Sequence, residues 1–175
     1  FTLWTEAERN AINIYSVTID ESKRKDVTWY INTNITYSFD GSKAKGSYGD
    51  ATAKAHADTT YTNQDKTDGK IPSDKDVGDV KDEGLKTKLI RQVKNQAQSE
   101  LNKTDWYVVR KADTDEAIPS AVATHRAAVR SKQASMETSI TNASDTAALE
   151  TLYTYTEQED GSTTRPLGEI PVKEF

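Results

Sequence analysis

Gly84-Leu-Lys-Thr-Lys-Leu-Ile-Arg-Gln-Val93 opens the stretch that decides the fold, which continues through Thr104-Asp-Trp-Tyr-Val-Val-Arg110 and Ile118-Pro-Ser120 to Arg126-Ala-Ala-Val-Arg130. Leu85, Leu89, Ile90, Val93, Ala97 and Leu101 recur at helical spacing and define one apolar face, with charges on the others. Asn102–Asp105 carries the stop signals, and Trp106-Tyr-Val-Val109 reads as extended because aromatic and β-branched side chains favour a pleated backbone. Ala112–Glu116 reads as a turn. Pro119 suits the first position of a second helix, where its missing amide costs nothing. That helix is expected to reach Asn142, with Val122, Val129, Met136 and Ile140 on one stripe. Ala121 and Ala128 lie beside the stripe, small enough for close helix approach.

Upstream, Thr5-Glu-Ala-Glu8 has capping-box spacing and predicts a short helix over residues 6–12. Three strand-like runs follow, at residues 14–19, 27–31 and 35–39. In the first, Tyr15, Val17 and Ile19 share one side, which fits a sheet buried on one face. Asp40-Gly41 marks a tight turn, with a returning strand over 43–48. Residues 51–58 fit either an alanine helix or an extended arm, and 63–84 is a polar stretch with few residues to bury. Downstream, Ser144-Asp-Thr146 caps a last short helix, Glu157–Gly161 turns a hairpin, and residues 170–175 read as extended. The expected fold is α+β: a small N-terminal antiparallel β meander followed by a C-terminal helical hairpin with a short β extension. The expected organisation is a β-rich region over 1–50, a polar linker or long loop over 51–84, and a helical domain over 85–175.

Composition limits the rest. Leu, Ile, Val and Phe make up 30 of 175 residues, so any core is thin. The net charge of −5 is too small to signal disorder, and three tryptophans and eight tyrosines argue for packing. Charge is uneven: residues 86–141 carry +4 and residues 142–175 carry −5. With no basic block interleaved with aromatics, nucleic acid is not an expected partner. No apolar run is long enough for a membrane span, and the opening Phe1-Thr-Leu-Trp-Thr-Glu6 lacks the basic start and apolar stretch of a signal peptide. The absence of cysteine removes disulfides and thiolate chemistry.

No catalytic set emerges, and neither enzyme activity nor a cofactor is expected. His56 and His125 are the only histidines and have no nucleophile or phosphate-loop motif beside them. Asp74-Lys-Asp76-Val-Gly-Asp79 has some character of a calcium loop but lacks the terminal Glu at the required spacing, so a plain surface loop is expected. A glycosidase needs no linear motif, yet no acid lies in an apolar context that would raise its pKa. The candidate contact residues are Trp106, Tyr107, Arg126 and Arg130. The tryptophan–tyrosine pair could anchor a partner, although the default reading has Trp106 plugging the space between the two helices. Arg126 and Arg130, spaced i,i+4, could bridge to a neighbouring chain, or to Asp105 or Asp113 within this one, which is the default.

The segment Thr104-Asp-Trp106, followed by Pro119, Arg126 and Arg130, resembles bacteriophage tail proteins of the tail fibre assembly and tail assembly chaperone type. Weaker likeness touches Glu6–Val17 and Arg165–Pro171. The stronger likeness covers residues 84–141. The resemblance implies a virion protein of the tail or tail fibres, oligomeric in an assembly and bound to other tail or fibre proteins. It also implies an alternative, a fibre assembly chaperone active in the host cytoplasm; a module that binds host-surface polysaccharide is a third, separate reading. The β-rich start and the long polar stretch exceed what a minimal chaperone needs, which favours the structural role.

Overall fold

The computed structural model describes residues 3–175. Phe1 and Thr2, the start of the expected N-terminal region and of the segment read against a signal peptide, lie outside them. The chain divides into two compact units, residues 1–54 and 55–175.

In the first unit, α1 (Glu6–Ala11) forms where the capping box puts it. The Thr5 hydroxyl accepts the Glu8 amide, and Glu8 accepts the Thr5 amide in return. The strands are β1 (Val17–Asp20), β2 (Tyr30–Ile31), β3 (Thr36–Phe39), β4 (Ala44–Ser47) and β5 (Thr52–Ala53). β3 and β4 pair antiparallel around the turn that contains Gly41, which has a positive φ of 96°. β1 departs from simple meander order by joining β4 in parallel, giving the sheet order β1-β4-β3, while β2 pairs with β5.

That register sorts the sheet into two faces. Val17, Ala44 and Phe39 lie side by side, as do Ile19, Gly46 and Tyr37, so one face is apolar. Thr18, Lys45, Ser38, Asp20, Ser47 and Thr36 fill the other, where Lys45 and Asp20 pair at 2.9 Å. A Cβ at Gly46 would lie 2.7 Å from Ile19 Cδ1 and 2.8 Å from Ile35 Cγ2, so glycine is what lets these side chains fold over the middle strand. The parity read from the first run holds, but the expected burial of that side does not. Val17, Phe39 and Tyr37 remain 47%, 52% and 67% exposed.

In the second unit the polar stretch is structured. β6 (Thr59–Thr60) and β7 (Val80–Asp82) pair antiparallel around α2 (Asn63–Thr67), whose buried Asp65 completes a second capping box and pairs with Lys81 at 2.7 Å. The helices are α3 (Leu85–Asn102), α4 (Asp105–Thr114), α5 (Ser120–Asn142) and α6 (Thr146–Tyr153); β8 (Thr156–Glu157) and β9 (Thr163–Thr164) form the expected hairpin.

α3 and α5 run antiparallel. Lys86 at the start of α3 donates to Thr141 O near the end of α5, and Arg126 near the start of α5 donates to Leu101 O near the end of α3. Between them lies the core of Leu89, Val93, Ala97, Leu101, Val122, Val129, Met136 and Ile140, closed by Leu149, Leu167 and Ile170. Ala121 and Ala128 face outward instead of lining the helix contact. The extended reading of residues 106–109 is overturned, as is the turn over 112–116. Both fall largely in α4, with Asp105 in the favourable first turn, Lys111 in the last, and Asp115 closing it in the left-handed region at φ 59°.

Candidate functional site

α4 is an amphipathic helix with no buried residue. Trp106 is 51% exposed and Val109 68%, so the core-plug reading of Trp106 is overturned: the helix carries its ring outward instead of inserting it between α3 and α5. The Trp106 and Tyr107 rings lie against each other, tilted by 31° with centroids 3.7 Å apart. The Arg110 guanidinium lies 4.8 Å from the indole centroid and 5.3 Å from the phenol ring. Its Nη1 pairs with Glu116 at 3.2 Å, while its buried Nε finds no acceptor among the described residues. The result is a rigid aromatic–cation platform on an uncovered helix.

Arg126 fixes where that platform starts. The side chain is buried beneath the α3–α4 junction, with Nη1 donating to Leu101 O and to Thr104 Oγ1, each at 2.8 Å. Its Nη2 pairs with Asp105 at 2.9 Å, the intramolecular bridge expected from the sequence. Arg130, one turn on, is exposed. The two arginines therefore do different work: one clamps the junction, the other faces solvent.

A second polar centre was not legible in the sequence. Glu100 on α3 and His125 on α5 are both buried, 5% and 7% exposed, with Glu100 Oε1 2.9 Å from His125 Nε2. The same oxygen accepts the Lys173 amide at 3.0 Å, and Oε2 pairs with Lys103 at 2.8 Å. The Phe175 ring lies 5.2 Å from the imidazole, so residues 170–175 are strapped across the pair. Burial pushes the Glu100 carboxyl up, but the bonds from Lys103, the Lys173 amide and His125 outweigh it and hold it below the usual range. A carboxyl held ionised suits a fixed anchor and not a general acid. A signal did exist, since Glu100 sits one residue from the apolar α3 stripe, but its partner is 25 residues away.

Beside this strap, α3 and the Glu169–Val172 segment border an open groove of about 670 Å³. The Asp74–Asp79 loop is closed by the Asp79 carboxylate accepting the Asp76 amide. Among the described residues, no group of three or more His, Cys, Asp or Glu is placed to hold a metal ion, and no helix is long and apolar enough to cross a membrane. Comparison with protein-family models, curated proteins and solved structures finds no match.

Proposed function

We propose that this chain is a non-enzymatic structural protein of a phage tail or its fibres, acting through contacts with other tail or fibre proteins. The observation that carries the docking role is apolar surface left uncovered on regular elements. The first unit has a sheet face on which Val17, Phe39 and Tyr37 stay exposed, and the second has α4 with Trp106 and Val109 turned outward. Large aromatics held on a rigid element and flanked by arginine are the side chains that dominate protein interfaces. Leaving them in water costs stability, and a partner recovers it. The phage setting rests on the likeness at Thr104-Asp-Trp106 and the arginines that follow.

Quantitative mass spectrometry of purified particles tests this reading. Peptides of this chain at a fixed ratio to a known tail protein support it. Their absence from mature particles, with presence in assembly intermediates, supports the chaperone instead.

A further inference from the structure

The β8–β9 hairpin projects from the second unit with residues 154–164 all exposed. Its tip, Glu157-Gln-Glu-Asp-Gly161, carries three carboxylates, and among the described residues none is paired with a cation. The hairpin is itself well formed: Gln158 donates to Ser162 O, Asp160 accepts the Ser162 amide, and Gly161 takes a positive φ of 79°. It therefore presents its charge on a fixed frame.

The α3 side of the groove has the complementary character. Lys88 and Arg91 stand at one end, followed by Gln92, Asn95, Gln96 and Ser99 at helical spacing, and the other end is closed by Glu100, its charge paired with Lys103. Among the described residues Lys88 has no carboxylate within salt-bridge distance; Arg91 reaches Glu83, which is itself partly solvated. Among the described residues the four neutral side chains have no hydrogen-bond partner, so a row of donors and acceptors lies open beside Lys88 and the Glu83-paired Arg91.

Both features sit on one surface. Tyr155 at the hairpin base donates to Glu169 Oε1 at 2.6 Å, Arg165 pairs with the same carboxylate at 2.7 Å, and Glu169 borders the groove. Two complementary patches side by side are what a two-fold pairing uses, since each copy then supplies a patch to the other's counterpart. We infer that the groove beside α3 receives the acidic β8–β9 hairpin of a second copy of this chain, reciprocally, in a closed dimer. This names a partner for the assembly role proposed above and rests on that reading.

The test is sedimentation velocity of the full chain over a range of concentrations, at low and at about 0.5 M salt, where the Debye length falls to a few ångströms. The native chain is expected to dimerise and to weaken with salt. Lys88→Glu with Arg91→Glu, or Glu157→Lys with Glu159→Lys and Asp160→Lys, each weakens dimerisation at least about tenfold. Combining the two sets restores it to within about threefold of native. All these positions are exposed, and circular dichroism confirms that the variants fold. A native chain that stays monomeric, a dimer indifferent to both reversals, or a combined variant as weak as its parents overturns the inference. A monomer still present in particles sinks only this dimer, whereas a dimer missing from particles sinks only the structural reading.

Discussion

Arg126 shows what one residue does for the fold. Buried guanidinium groups are stable only when their donors are used, and this one spans the end of α3, Thr104 and the first residue of α4. Replacing it with Met removes those bonds and leaves Leu101 O and Asp105 without their cation. The expected loss is about 3 kcal/mol in urea unfolding, and a loss below about 1 kcal/mol would remove Arg126 from this role. Asp105 was one of two acids the sequence offered as its partner, since it stands at the stop after α3; the packing of α5 beneath the α3–α4 junction is what selects it.

Glu100 was not readable, because its three partners come from the residue capping α3, from α5 and from the strap. Its depressed titration has a definite sign. A carboxyl that ionises more easily when folded adds stability above the unfolded value, and that stability is lost as pH falls through the folded value. The advantage of the native chain over Glu100→Gln in urea midpoint is therefore expected to be full at pH 7 and to shrink towards pH 3. A gap that stays constant or grows with acid contradicts the anchor.

Among the elements, α3 and α5 were legible from apolar spacing because burial on one stripe is a property of local sequence. α4 was hidden, since Trp106-Tyr-Val-Val109 has strand preference and only its polar ends speak for a helix. Junction geometry prevailed over propensity there. The parallel β1–β4 pairing was hidden for another reason: pairing partners of distant strands leave no local mark, although the alternation of Val17 and Ile19 gave the correct face.

The entry into α3 is set by close approach. A Cβ at Gly84 would fall 2.4 Å from the Ala57 carbonyl carbon and oxygen, and neither backbone atom can rotate away. Gly84→Ala is expected to cost about 2–3 kcal/mol and to broaden amide signals at residues 56–58 and 84–88. An unchanged melting midpoint would show that the β6–β7 segment can shift freely from the helix start.

At the scale of the molecule, the thin core and the outward aromatics have one explanation. The chain spends its few large apolar side chains partly on its own interior, at Val93, Val129, Met136, Ile140 and Leu149, and partly on faces held open. The sequence made the shortage visible but not its placement. Tyr37, Phe39 and Trp106 look like core residues until the register and α4 turn them to solvent.

Site-specific photo-cross-linking from position 106 in assembled particles tests that account most directly. A cross-linker in place of Trp106 is expected to join this chain to a different tail or fibre polypeptide in high yield, and Val109→Asp is expected to abolish the adduct while leaving the fold intact. An unmodified chain after irradiation, with the 106 side chain shown to be in water within the particle, would contradict it.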